Sequence, residues 1–373
     1  MAEAKKSEVE KVSRRNYLQV AGGTIAGLVV GGVGGYLAGK TAVPSAAVTT
    51  VTQTVTSAAT ATVAATATAA MIGEGYSIVL ISGDEADAFT TTIVKGGTDA
   101  RDQFGNSLTV LYSKGWDAAE FLTNLRTAIA MKPNAIIFSP FGDPAVLTTE
   151  IAKAYAQGTI VTLMNLDVPE IRAKFAPQCG SIAQDLSAIG TALAEHAINI
   201  YSLGKGDRCA VMCGFWTEPT FSKRTYGIYN ALVNAGCTVD KIVHPASIFA
   251  APEGGLAYLS GYVSAHPDVK FVAFGGAGTT AVVDYYMQQM GKAAGSIKYG
   301  GFDLTPGALK CIQDGYLQFT MDQQPYLYGY LTTLNVILTM KYGFTGWRVD
   351  TAGGWVDASN VSSVLAFSQA HIR

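Results

Sequence analysis

The sequence predicts an α/β protein of two Rossmann-like lobes, each a parallel sheet flanked by helices, preceded by an N-terminal signal or anchor and a low-complexity tether. Three observations predict it. Short apolar runs recur roughly every 25–31 residues through two successive halves of the chain, the length of a βαβ unit. The segments between them carry a helical period: Leu186, Ile189, Leu193, Ala197 and Tyr201 fall on one face. A chain of 373 residues also exceeds one ordinary hydrophobic core.

The N-terminal element comes first in chain order. Ser13 to Gly39 reads "SRRNYLQVAGGTIAGLVVGGVGGYLAG", a basic segment before a long uncharged run. As a helix, roughly 20 residues would cross a bilayer core of about 30 Å. The stretch Ser13-Arg14-Arg15-Asn16-Tyr17-Leu18 resembles the twin-arginine export signal, Ser/Thr-Arg-Arg-x-aromatic-Leu. Glycines at 23, 27, 31, 35 and 39 line one helix face. That spacing fits helix self-association, but also the glycine-rich, weakly hydrophobic character of such signals. Ser45-Ala46-Ala47 fits a cleavage site, so residues 1–40 are either removed or kept as an anchor.

Residues 41–73 form the tether, dominated by Ala, Thr and Val, with no charge through residue 70 and no helical face. Extended, such a stalk reaches ~100 Å, and its threonines are candidates for O-glycosylation. It resembles the stalks of archaeal surface receptors. The basic segment, the membrane-length run and the stalk together place the body outside the cytoplasm, in the periplasm or at the cell surface.

The first half of the body has strand candidates at Ser77–Ile81, Leu108–Tyr112, Ala135–Ser139 and Ile160–Met164. The second has them at Arg208–Cys213, Thr238–Val243, Lys270–Phe274 and Ile297–Gly301. Apolar strands alternating with helices imply parallel sheets covered on both faces. Ligands of such sheets bind beyond the carboxyl ends of the strands. There the first half places Asp84, Asp87, Phe89, Trp116, Asp117, Phe141, Asp143, Asn165 and Asp167. The second places Phe215, Trp216, Glu218, the Gly275–Gly278 turn and Asp303. Carboxylates and amides interleaved with rings suit a neutral polyol: the oxygens accept hydroxyl protons and the rings cover C–H faces. The competing reading of any single Asp is a helix N-cap or turn residue.

Six segments resemble the sugar-binding periplasmic proteins of the ribose/galactose type, which deliver ligand to ABC importers. They are "DAFTTTIVKGG", "KPNAIIFSPFGDPAVL", "TLMNLDVP", "SKRTYGIYNAL", "GGFDLTPGALKCIQDGYL" and "MDQQPYLYGYL". The resemblance runs from about Tyr76 to Val361 and implies a three-segment hinge between the lobes. It implies ligand contacts from Asp87, Phe89, Asp143, Asn165, Asp167, Arg224, Asp303 and Gln323, to which Trp216 is added from the strand-end reading. The crossings are expected near Gly180–Ala183, Asp322–Gln324 and Thr351–Gly354. Lobe 1 is then 74–181 plus 324–351, and lobe 2 is 182–323 plus 352–373. One departure stands out. The family often carries Asn-Asp after the strand at Lys270–Phe274, where this chain reads Gly275-Gly276-Ala277-Gly278. The sugar is then held differently there, or backbone N–H groups serve; "GGAGTT" could also cradle a phosphate.

Net charge is −2, and residues 1–40 hold six basic and three acidic side chains, leaving the rest mildly acidic. That excludes a basic footprint for nucleic acid. Five cysteines leave at least one unpaired, Cys209 and Cys213 lie too far apart along one strand to bond, and no Cys-x-x-Cys occurs. The four histidines are scattered, with no H-E-x-x-H, and the body has no G-x-S-x-G. A non-enzymatic monomer without cofactor or metal is expected, with a sugar and an importer permease as partners and the membrane engaged through the N-terminal segment. The alternatives are a surface sensor presenting a sugar or nucleoside, and, further off, a sugar-processing enzyme.

Overall fold

In the computed structural model, residues 70–373 are described. The signal or anchor at 1–40 and nearly all of the tether at 41–73 lie outside them. No helix among the described residues is long and apolar enough to cross a membrane.

Two six-stranded sheets organise the body. The first contains β1 (Ser77–Ser82), β2 (Ser107–Tyr112), β3 (Ala135–Phe138), β4 (Ile160–Leu166), β5 (Ser181–Gln184) and β11 (Arg348–Asp350), in the order β11-β5-β4-β3-β1-β2. The second contains β6 (Arg208–Cys213), β7 (Thr238–Val243), β8 (Val269–Phe274), β9 (Lys298–Phe302), β10 (Phe319–Met321) and β12 (Trp355–Asp357), in the order β12-β10-β9-β8-β6-β7. Pairing is parallel throughout except for β12, which runs antiparallel to β10. Central strands such as β3 and β4 are buried along their whole length. That is why they read as continuous apolar runs rather than alternating ones.

Helices alternate with the strands as βαβ units, a connection that is right-handed in nearly all parallel sheets. Four begin on an aspartate cap: Asp87 accepts from Phe89 N, Asp117 from Ala119 N and Glu120 N, Asp143 from Ala145 N and Asp185 from Ala188 N. Each lobe is held by one glycine-mediated helix pair. In lobe 1, α1 (Ala88–Phe104) meets the long helix Pro325–Tyr342 so closely that a methyl on Gly96 would strike the Tyr326 carbonyl, and one on Gly329 the Ile93 carbonyl. In lobe 2, Leu186–Tyr201 meets Ser222–Asn234, with Gly190 against the Arg224 carbonyl and Gly227 against that of Ser187. The absence of Cβ lets backbone lie on backbone at both places.

The chain passes between lobes three times. The first passage falls at Asp185, between β5 and the helix Leu186–Tyr201. This corrects the expected crossing at Gly180–Ala183, because Ser181, Ile182 and Ala183 pair with Arg348, Val349 and Asp350 inside the first sheet. The other passages lie between β10 and Pro325 and between β11 and β12. They are bonded together: Asp322 N donates to Gly354 O at 3.1 Å and Gly353 N to Asp322 O at 2.9 Å. Gln324 Nε2 donates to Thr351 O at 3.0 Å, and Gln184 Nε2 to Gln323 O at 3.4 Å. The fully buried Asp322 carboxylate caps Gln324 N and pairs with Arg373. The polar run Asp322-Gln323-Gln324 at the end of a buried strand is thus satisfied by the neighbouring crossings and by the cleft.

Candidate ligand site between the lobes

The carboxyl ends of the two sheets face each other across a cleft with about 450 Å³ of space free of protein atoms, open solvent included. Nearly every strand sends residues to it. Asp87 and Phe89 follow β1, Trp116 follows β2, Phe141 follows β3 and Asn165 ends β4. From lobe 2, Phe215, Phe221 and Arg224 follow β6, Phe249 follows β7, Gly276–Gly278 follow β8, Asp303 follows β9 and Gln323 follows β10.

The polar groups form a chain. Arg224 Nη2 donates to Gln323 Oε1 at 2.6 Å, and Gln323 Nε2 donates to Asp303 Oδ1 at 2.5 Å. All three are buried. The guanidinium lies over the rings of Phe221 and Phe302, 4.7 and 4.4 Å from their centroids. Its Nε has no partner among the described residues. Burial raises the Asp303 pKa to about 7, against the opposing pull of Arg224 and the Gln323 hydrogen bond. Burial also raises that of Asp87, whose carboxylate accepts from Trp116 Nε1 at 3.1 Å and Phe89 N at 3.2 Å.

Backbone strain gathers here. Trp116, Asn165 and Asp303 line the cavity with positive φ (56°, 65° and 78°), and Gln324 at 56° adjoins it. Non-glycine residues rarely adopt this conformation outside sites that over-determine it. The Asp303 side chain bonds Gln323 rather than the N-terminus of the following helix. Thr305, not Asp303, caps Pro306–Gln313 by accepting from Ala308 N.

One side of the cavity is shut by contacts between lobes. Gly142 N donates to Glu218 Oε1 at 2.8 Å, and Thr220 Oγ1 donates to Gly142 O at 3.0 Å. Phe141 meets Phe215 edge to face, centroids 5.2 Å apart.

Residues 78–338 match the periplasmic binding protein domain family. The chain belongs to that family. Among curated relatives of this periplasmic binding protein, the xylose/arabinose-binding protein of Sulfolobus acidocaldarius is 27% identical over 267 residues, covering 68% of this chain. The match spans 64% of the relative's length, just under two thirds. Among solved structures, an ABC transporter solute-binding protein from Burkholderia graminis in complex with D-arabinose superposes with a TM-score of 0.68 at 20% identity, covering 78% of this chain and 98% of that one. A carbohydrate transporter protein from Acidothermus cellulolyticus in complex with myo-inositol gives 0.67 at 22%, covering 80% and 99%. At these identities the two structures establish the fold.

Of the residues expected at the site, the structure brings Asp87, Phe89, Asn165, Arg224, Asp303 and Gln323 to the cavity wall of this periplasmic binding protein. It places three elsewhere. Asp143 is an exposed N-cap. Asp167 is buried in an ion pair with Arg172 (3.2 Å), with Arg348 at 3.5 Å. Trp216 packs on Tyr226 with Lys241 Nζ 4.5 Å over its ring, and its neighbour Phe215 takes the cavity position. Phe221 and Phe249 join the wall without having been expected there. Phe249 lies in a turn after β7 with no motif, and Gly276 admits it, since a methyl there would meet the Phe249 ring at 2.6 Å.

Proposed function

We propose that this protein binds a small neutral sugar, a monosaccharide, between its lobes and delivers it outside the cytoplasm to an ABC importer. The observation that carries the reading is the buried chain Arg224–Gln323–Asp303 set in a wall of aromatic rings. Asp303 accepts from Gln323 through Oδ1, and Arg224 Nε has no partner among the described residues, so acceptor capacity on Oδ2 and a donor remain for ligand hydroxyls. Asn165 and Asp87 add further polar groups, and Phe89, Trp116, Phe141, Phe215, Phe221 and Phe249 cover the C–H faces. The ligand named for the Sulfolobus relative, a pentose, and the sugar and inositol in the solved complexes support the same class. Closure occurs by bending at the three bonded crossings, and the Gly142–Glu218–Thr220 clasp joins the lobes when shut. Residues 1–40 export or anchor the chain, 41–73 tether it, and the protein returns its ligand unchanged.

A thermal-shift and calorimetry screen of D-xylose, L-arabinose, D-ribose, D-glucose and nucleosides tests this. A ligand at 100 times its Kd stabilises by about 2.7 kcal/mol. Saturable binding of a monosaccharide is expected. Binding of nucleosides alone, or consumption of the sugar, would overturn the reading.

A further inference from the structure

Beside the binding cavity lies a second, outer chamber with about 1090 Å³ of space free of protein atoms, open solvent included. The two share Asp87, Trp116, Phe249, Ala277 and Gly278 as lining residues, so they are adjacent. Two rings stand at the threshold, Trp116 from lobe 1 and Phe249 from lobe 2. Beyond them the walls are made of side chains too small to fill the space, among them Ala86, Ala250, Ala281 and Gly307. Besides the shared Asp87, the wall carries Thr305 and one further carboxylate, Asp84. Its carboxylate accepts from Gly115 N and Ala86 N, each at 3.0 Å, and these bonds hold it below the usual carboxylate range, so it is ionised.

Elsewhere the inner cavity is bounded by Phe141 on Phe215 and by the Gly142–Glu218 bond. A ligand longer than one ring can extend past Trp116 and Phe249 into this adjacent space. Flat apolar rings at a threshold, small walls and a carboxylate with acceptor capacity left beyond them suit another polyol rather than an anion, which Asp84 would repel.

We propose that the cleft accepts a disaccharide or the end of a longer glycan, one ring in the inner cavity and the next in the outer chamber, with Asp84 accepting its hydroxyls. This rests on the sugar reading above and extends it from monosaccharides to glycosides.

The test compares xylobiose, cellobiose and maltose with D-xylose and D-glucose by calorimetry, on the native protein and on Ala250→Trp and Ala86→Trp. Both alanines are exposed and line the outer chamber alone, so a tryptophan fills that chamber without entering the core. Melting temperatures verify folding. The native protein should bind at least one disaccharide within about tenfold of its monosaccharide. Each tryptophan should weaken that disaccharide at least about tenfold and leave the monosaccharide within about twofold. Monosaccharide binding with disaccharides excluded overturns the inference and leaves the sugar reading standing. Disaccharide binding untouched by both tryptophans also overturns it. Failure of every saccharide overturns both.

Discussion

Gln323 accepts a hydrogen bond from Arg224 and donates one to Asp303, so one neutral amide joins a buried cation to a buried carboxyl that sit on different strand ends of the same lobe. Its two bonds also fix the orientation of the amide, oxygen toward Arg224 and nitrogen toward Asp303. Asp303→Asn tests the carboxylate. Asparagine tolerates the positive φ of 78° at this position, so the backbone is kept. The melting temperature of the ligand-free protein should stay within a few degrees. Loss of a charge-assisted hydrogen bond costs roughly 1.5–3 kcal/mol, so sugar affinity by calorimetry should fall about 10- to 150-fold. Unchanged affinity would remove Asp303 from the site.

The same group makes binding depend on pH. Burial raises the Asp303 pKa to about 7 in the folded protein, from the 3.8 of an exposed carboxyl. Between those values the folded state holds a proton that the unfolded state has lost, so the stability of the ligand-free protein falls as pH rises through this window. A ligand hydroxyl donating to the carboxylate favours the ionised form. Affinity should therefore rise with pH up to about 7 and level off above it, with protons released on binding at pH 6. Calorimetry in buffers of different ionisation enthalpy measures that release, and Asp303→Asn should abolish most of it. Asp87, also raised by burial, titrates in the same cavity, so Asp87→Asn is the companion variant.

Gly190 holds the helix of Arg224 against its neighbour. Gly190→Ala would press a methyl onto the Arg224 carbonyl and push the two helices apart. Overpacking of this kind costs about 1–3 kcal/mol, and sugar affinity should fall with it, because Arg224 moves. Gly261, in the helix Leu256–Ala265, has open space at its Cβ. Gly261→Ala should gain up to about 1 kcal/mol from helix propensity and leave binding alone. Urea denaturation and calorimetry on the pair distinguish packing from a general intolerance of substitution.

Asp322 is fully buried at the middle crossing, while its partner Arg373 is 41% exposed. The two sides of this pair are unequal. Arg373→Ala strands a buried carboxylate and should cost roughly 1–3 kcal/mol in denaturant melts. Asp322→Asn leaves an arginine that water can reach and retains an acceptor for Gln324 N, so it should cost less. Equal losses would show that the pair contributes only local packing.

Asp143 and Trp216 serve as controls outside the cavity. Asp143→Ala removes a helix cap, at about 1 kcal/mol, and should not change affinity. Trp216→Phe should likewise bind normally, since Phe215 provides the ring facing the ligand space. A tenfold loss in either variant would move the site toward the expectation drawn from sequence.

The βαβ cadence was legible because each strand and helix is written in a few consecutive residues, through apolar runs and a helical period. The eight strands marked in the two main series all exist, with ends shifted by at most two residues at either terminus. The difference between Asp143 and Asp303 was partly legible too. Asp143 stands immediately before Pro144, the place of an N-cap, whereas Asp303 stands three before Pro306 with Thr305 in the capping place. Both aspartates were nonetheless expected at the ligand, and the structure makes only Asp143 a cap. Tertiary structure alone decided the rest. Strands β5 and β11 have four and three residues and find each other across the chain from Ser181 to Arg348, so no local pattern announces their pairing or the true first crossing at Asp185. Whether Phe215 or Trp216 faces the cleft depends on how the backbone turns after β6, and Phe249 reaches the cavity because the distant turn bearing Gly276 and Gly278 leaves it room. Local sequence sets which elements form, since their periods and caps are short-range. The cleft is assembled from the ends of many strands, so its membership follows from long-range packing that no single stretch encodes.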